Sequence, residues 1–320
     1  MTILPMMRYV LKEFKIDFIG ARGYASWFSA ILVVASLLSL SIQGLNLGID
    51  FAGGVLVEVR HEKPVDVANL RSTMNKLDLG DVGINTFDDG RSVAIRVPLQ
   101  EGGDAAQTAA LKQVQGALGA GYEVLRIEVV GPKVGSELLI DGALAVALAL
   151  IGIMVYVWLR FEWQFALGAV LSLAHDVITT LGIFSILQLQ FDLTTVAAVL
   201  TITGVSINDT VVVYDRVREM LRKYRKMPLA DLLNYSLNKV FARTLVTNVT
   251  ASLGVLALLI GGGDVLRGFS IALMWGMFIG SYSTIYAALP ILVYLDIRRD
   301  DTVATGAPVP EYERNNSPAE

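Results

Sequence analysis

The sequence predicts an α-helical polytopic membrane protein of six crossings that carries one small α+β domain outside the membrane. Three observations predict it. The 320 residues are 54% hydrophobic and only 18% charged, with a mean hydropathy of +0.56, whereas a soluble chain carries about 25% charged residues. The apolar residues gather into six stretches, each near the ~20 residues that a helix needs to cross a bilayer. Lys and Arg cluster at the start, in one internal connection and after the last stretch.

The first crossing, expected at 24–45 around the apolar run 27–42, follows a basic segment 1–23 with Arg8, Lys12, Lys15 and Arg22. A basic start and an apolar core also describe a secretory signal, but no small-residue cleavage site follows, so the segment reads as an uncleaved anchor. Residues 46–136 lose the apolar runs and gain charge, which marks a soluble domain. Within it, 53–60 alternates apolar and polar residues like a half-buried strand. Val67, Leu70, Met74 and Leu77 share one helical face within 65–77. The runs 81–87 and 92–97 read as strands joined at Asp88-Asp89-Gly90, a hairpin turn signal. Ala110, Leu111, Val114 and Leu118 recur at helical spacing within 104–118, and 122–130 alternates again. The order β-α-β-β-α-β is that of the ferredoxin-like split βαβ unit. His61 reads as a surface residue.

Residues 137–297 hold the other five crossings, at about 138–159, 165–187, 193–214, 243–260 and 267–296. Tyr24, Trp27, Trp158, Trp163, Tyr214 and Tyr294 stand at their ends, as an aromatic belt would. The connection 215–242 carries Arg216, Arg218, Arg222, Lys223, Arg225, Lys226 and Lys239, with Arg243 just beyond it, and Arg298 and Arg299 follow the last crossing. The positive-inside rule assigns the connection and both termini to the cytoplasm. The turns 188–192 and 261–264 then face outward with the α+β domain. The polar tail 298–320 reads as disordered. There is no cysteine, which excludes disulfides and thiolate metal sites.

Asp209 is the most informative residue. An ionised carboxylate in hydrocarbon costs at least ~2.5 kcal/mol, so a chain keeps one where it meets a polar partner, a cavity or a proton path. The third crossing contains Ser172, His175, Asp176, Thr179 and Thr180. At 3.6 residues per turn, Ser172, Asp176, Thr179 and Thr180 share a face. Thr195 and Ser206 lie near Asp209's direction on the fourth crossing. Arg243, Thr247, Thr250 and Gly254 form a stripe on the fifth. The expectation is that these three stripes turn toward one another, because interhelical hydrogen bonds and small residues are how membrane helices associate. Ser, Thr and Gly serve packing equally well; packing does not require the two carboxylates. His175 points about 100° away from Asp176 on an ideal helix, so it either faces another helix or supports the structure. Burial disfavours an ionised carboxylate and a nearby cation favours it. An Arg243 that approaches and withdraws would therefore govern a proton on Asp209.

Enzymatic readings are weak. Ser206 with His175 could suggest an intramembrane serine protease, but Ser206 is in mid-helix with no strained nucleophile turn. An HExxH-type metalloprotease site is missing, and Gly261-Gly262-Gly263-Asp264 lacks the Lys and Ser/Thr of a phosphate loop.

The motifs GLNLGIDFAGG at 44–54, AHDVITTLGIFS at 174–185, SINDTVVVYDRVRE at 206–219, Arg243-Thr244 and GFSIALMWGMFIGSYSTIY at 268–286 together resemble the SecF family. SecF is the smaller half of the bacterial SecDF protein-export complex, related to the resistance–nodulation–division transporters. The resemblance implies a non-enzymatic subunit of the inner membrane with a periplasmic domain and cytoplasmic termini. It would pair with SecD and assist the SecYEG channel, with YajC and YidC as possible further partners. It would draw unfolded preproteins outward with protons as the coupling ion, and no cofactor, metal or nucleic acid is implied. The family's intramembrane aspartate matches Asp209, beside Asn208, and its arginine matches Arg243. Asp176, His175, Ser206 and Thr247 are the further candidates for the proton path. The family's glycine motif matches Gly48, Asp50, Gly53 and Gly54. A proton-coupled small-molecule exporter of the same superfamily is the alternative.

Overall fold

A computed structural model describes residues 15–295 and 297, apart from 88, 89, 120, 264 and 265. The tail 298–320, the basic residues before 15, and the turn positions Asp88, Asp89 and Asp264 lie outside the described residues.

Among the described residues, six helices are long and apolar enough to cross a membrane: α1 (Arg22–Ile42), α5 (Pro132–Arg160), α6 (Trp163–Ile186), α7 (Leu193–Lys223), α8 (Leu229–Gly261), and a last helix spanning Arg267–Tyr294. Between α1 and α5 come β1 (Asn46–Leu47), α2 (Ile49–Ala52), β2 (Gly54–His61), α3 (Val67–Asn75), β3 (Gly83–Phe87), β4 (Ser92–Val97), α4 (Gly103–Leu118) and β5 (Tyr122–Val130). The expected order of strands and helices is therefore present. The sheet runs β3-β4-β2-β5, and each neighbouring pair is antiparallel. Val55, Val57, Val59, Val93, Ile95 and Val97 are buried from the sheet side, and Leu70, Met74, Ala110, Val114 and Leu118 from the helix side. Burying each such large side chain stabilises by roughly 1.5–3 kcal/mol. Asp66 caps α3, its Oδ1 accepting from the N–H groups of Ala68 (3.0 Å) and Asn69 (3.1 Å), as an N-cap aspartate should.

In the bundle α6, α7 and the last helix form the inner layer, while α1, α5 and α8 keep apolar side chains outward, among them Ile31, Leu38, Leu148, Ile151, Val249 and Leu253. Small residues set the close crossings, as they do between membrane helices generally. A Cβ added at Gly182 would fall 2.0 Å from the Ser36 hydroxyl of α1, and Ser39 and Ser185 share a 2.8 Å hydrogen bond beside it. The last helix is interrupted. It runs as α9 (Arg267–Ser283), widens into a π-turn (Thr284–Ala288) and continues as α10 (Leu289–Tyr294). Pro290 accounts for the break, since it has no N–H to give to the carbonyl four residues back and its ring crowds that carbonyl.

The connection 215–242 was expected to be a loop and is not one. α7 continues to Lys223 and α8 begins at Leu229, leaving only 224–228 between them. Counting apolar residues found the membrane-crossing part and stopped where charge began. The charged part is still helical because Val217, Met220, Leu232, Leu233 and Leu237 bury a common face with Tyr224 and Met227. α5 likewise starts at Pro132, within the stretch assigned to the external domain, because Gly131 ends β5 and proline suits a first helical turn. The turn 188–192 also differs. Gln190–Phe191 forms a strand, β6, that pairs in parallel with β1 (Asn46↔Gln190, Leu47↔Phe191).

Candidate functional site

The glycine motif is a joint between the domain and the bundle. The Gly48 N–H donates to the Phe191 carbonyl at 2.7 Å. Asp50 Oδ2 accepts from the Leu193 N–H at 2.9 Å, so it adds a second carboxylate cap to α7 beside Asp192, whose Oδ1 accepts from the Thr195 N–H at 2.8 Å. Gly54 has φ +126, and a Cβ there would sit 2.3 Å from the Val97 carbonyl oxygen. Only glycine meets both demands. Arg96 of β4 donates to the Leu47 carbonyl, and burial lowers the pKa of its guanidinium. These residues position the domain; no reactive group faces another among them.

Deeper in the bundle lies a sealed polar group centred on Asp176, whose side chain is fully buried. Asp176 Oδ2 accepts from Ser206 of α7 at 2.6 Å and from Ser283 of α9 at 2.9 Å. Ser172 donates to Ser283 at 3.0 Å. His175 Nδ1 lies 3.2 Å from Asp176 Oδ1, while its buried Nε2 meets no hydrogen-bonding partner among the described residues. One step toward the π-turn, Thr210 and Thr284 share a 3.0 Å hydrogen bond, and the Tyr214 hydroxyl donates to the Ala288 carbonyl at 3.3 Å. A Cβ at Gly280 would stand 3.3 Å from Ser206 and 3.7 Å from Asp176 Oδ2, so glycine lets α9 close over the carboxylate.

Asp209 lies one turn from Ser206 on α7 and belongs to a second, more open group. It is 6% exposed. Its Oδ2 accepts from Asn248 Nδ2 of α8 at 2.7 Å. Arg243 is exposed on α8, and no ion pair joins it to Asp209 among the described residues. The expectation that all three polar stripes converge is therefore corrected. Those of α6 and α7 meet through Ser206 and Asp176, with Ser283 as the third partner. The α8 stripe of Arg243, Thr247, Thr250 and Gly254 faces outward, because α8 turns Asn248, Ser252 and Val255 toward the bundle instead. Thr247 donates to the Arg243 carbonyl of its own helix (2.9 Å). Thr179 and Thr180 donate likewise, to the carbonyls of His175 (2.9 Å) and Asp176 (2.7 Å). Asn208 is exposed on α7 and joins neither group among the described residues. Asn248 and Ser283 were missed. An asparagine at i+5 from Arg243 breaks the helical stripe, and Ser283 sits in a serine-rich run that reads as packing. Ser206 donates to a carboxylate and is not activated by His175, which leaves the protease reading without its base.

A six-crossing membrane protein with one external α+β domain, a glycine joint between the two and two carboxylates buried inside the helical bundle is the class that this fold and site define. Residues 110–298 match the family described as protein export membrane protein SecD/SecF, C-terminal, and residues 38–65 match the SecD/SecF GG motif. The protein translocase subunit SecF of Cereibacter sphaeroides is 46% identical over 293 residues, covering 89% of this chain and 90% of that protein. The SecF of Pseudomonas aeruginosa is 43% identical over 288 residues, covering 90% and 94%. The crystal structure of SecDF from Thermus thermophilus superposes with a TM-score of 0.80 at 35% identity, over 90% of this chain and 40% of that one. SecDF in a super-membrane-facing form gives a TM-score of 0.67 at 34% identity, again over 90% and 40%. This chain thus spans 40% of the solved SecDF chains. The chain belongs to the SecD/SecF family of protein-export membrane proteins, within its SecF branch.

Proposed function

We propose that this chain, an accessory subunit of the Sec protein translocase, uses the proton gradient through Asp209 to promote the outward movement of preproteins. Its partner in the reading is SecD, which supplies the part of the solved SecDF chains that this chain does not span. SecYEG, with YajC and YidC, would be the channel-side partners, and unfolded preprotein the substrate. The membrane is the bacterial inner membrane, with both termini in the cytoplasm and the α+β domain in the periplasm. The Lys/Arg clusters support that orientation.

The observation that carries the reading is the setting of Asp209. Among the described residues this carboxylate inside the bundle has one side-chain donor, the neutral Asn248, and the exposed Arg243 stands on the same neighbouring helix. A proton moving through 100 mV releases about 2.3 kcal/mol, enough to shift a two-state helix arrangement substantially. Arg243 would stabilise the ionised form when close, and Asn248 would hold the carboxylate in line between exchanges. Ser206 would link Asp209's helix to Asp176 and His175. Thr247 and Asn208, on outward faces, would serve the contact with SecD.

The deciding experiment is export into inverted membrane vesicles containing the SecDF complex, with and without an imposed proton gradient. The parent should export faster with the gradient, and Asp209→Asn should be indifferent to it. A gradient response of parental size in Asp209→Asn would end the proton-carrier reading. Orientation has its own check: a cysteine at Lys112 should react with an impermeant reagent from outside and one at Lys226 should not.

A further inference from the structure

We propose that a groove at the membrane surface, between the N-terminal segment and the start of α8, binds the phosphate of an anionic phospholipid headgroup. The proposal is independent of any proton-carrying role for Asp209. The groove encloses about 660 Å³, and its lining includes Lys15, Arg22, Tyr235 and Lys239. It is built, not a gap beside a loose end. The Ile16 N–H donates to Asn238 Oδ1 at 3.0 Å and Asn238 Nδ2 returns a bond to the Ile16 carbonyl at 2.9 Å. The Ile19 N–H donates to Asn234 Oδ1 at 2.9 Å, and Phe18 packs on Phe241 with ring centroids 5.2 Å apart. Two asparagines of α8 therefore hold the segment that carries Lys15 in a fixed register.

The depth is that of lipid headgroups. Lys239 lies five residues before the apolar run that begins at 244, about 8 Å along the helix axis, and the headgroup layer on each side is roughly 5–8 Å thick. Arg22 opens α1 just ahead of Tyr24 and Trp27, both strongly exposed, the residue types that settle at the interface. Two cations from separate helices thus reach the same layer, where basic pockets between membrane helices hold anionic headgroups.

Of the two carboxylates in the groove, the placement of one favours a lipid over a free anion. Asp17 keeps its charge, but its Oδ1 is tied to the groove wall, accepting from the Gly20 N–H at 2.8 Å and from Asn234 Nδ2 at 2.7 Å, so the discrimination comes from the second carboxylate. Asp231 is exposed in the first turn of α8, eight residues or about 12 Å below Lys239. It sits toward water and repels an anion arriving from that side. A phosphate delivered from the membrane meets Arg22 and Lys239 first.

The test uses the full chain in phosphatidylcholine nanodiscs doped with phosphatidylglycerol, with retained phosphatidylglycerol counted by native mass spectrometry. The variant Lys15→Gln/Arg22→Gln/Lys239→Gln should retain at least about tenfold less than the parent. The control Arg222→Gln/Arg225→Gln/Lys226→Gln removes equal charge nearby and should retain the parental amount. Equal loss in both variants, or loss in neither, overturns the site. Displacement of the lipid by millimolar inorganic phosphate would make it a free-anion site and overturn the lipid assignment. If the triple variant melts lower than the parent in phosphatidylcholine alone, Lys15→Gln and Lys239→Gln singly decide, each with a loss of about fivefold.

Discussion

Two aspartates about nine turns apart in sequence, yet one helix apart in space, show how differently a membrane protein can keep a carboxylate. Asp176 is closed in on three sides. Serines from α7 and α9 donate to one oxygen, His175 approaches the other, and Gly280 allows the last helix to seal the lid. Among the described residues Asp209 has one side-chain donor, the Asn248 amide, on a helix whose polar stripe, Arg243 included, faces away from the bundle. A carboxylate saturated by hydroxyls from neighbouring helices fixes those helices, since any rearrangement strands several polar groups at once. A carboxylate with a single neutral partner has fewer bonds to lose when its charge changes. The polar residue best suited to switching is the less satisfied one.

The largest effect should come from exchanging each aspartate for asparagine in turn. Asp209→Asn should cut gradient-driven export at least about tenfold while leaving the amount of assembled complex unchanged. Asp176→Asn keeps one acceptor oxygen and should retain most of the gradient response. Vesicle export measured against complex abundance separates the two, and the reverse ranking would invert the comparison. Next comes Asp176→Leu, which leaves the hydroxyls of Ser206 and Ser283 buried without their acceptor. It should destabilise by about 2–5 kcal/mol, read as a lower melting temperature in detergent; parental stability would show that the sealed group is not structural. Asn248→Ala removes the only side-chain donor to Asp209 among the described residues, at about 1–3 kcal/mol for the buried acceptor left unsatisfied. It should weaken export less than Asp209→Asn and lower the melting temperature less than Asp176→Leu. Gly280→Ala places a methyl 3.3 Å from Ser206, a small overpacking of about 1 kcal/mol that should loosen the Asp176 group and leave Asp209 untouched.

The smallest effect concerns a third carboxylate, in water. The Gly20 N–H, then Asn234, hold the Asp17 carboxyl below the ordinary carboxylate range. A depressed folded-state pKa contributes stability that is present above the unfolded value of about 3.9 and lost as pH falls through the folded value. Docking of residues 15–20 on α8 should therefore weaken below about pH 4, and Asp17→Asn should flatten that response. A spin label at Lys15 whose mobility ignores pH from 6 to 3 would sink the assignment.

The crossings, the external domain and its β-α-β-β-α-β order were legible because each rests on a local period: apolar runs for the bundle, alternation for the strands, Gly and Asp at the turns. Asp209, Asp176 and Ser206 were legible because a polar group in an apolar run is costly wherever it ends up. What the local pattern could not carry was the rotation of each helix about its axis. Arg243, Thr247, Thr250 and Gly254 make a clean polar stripe, and α8 nonetheless turns that stripe outward and offers Asn248 to Asp209. The long helical hairpin through 215–242 escaped for a related reason: its charges hid an apolar face that exists only once Val217, Met220 and Leu233 meet. Period and polarity, being properties of neighbouring residues, are written in the sequence. Which carboxylate is sealed and which is left half open depends on how six helices share their faces, and that is decided only when they pack.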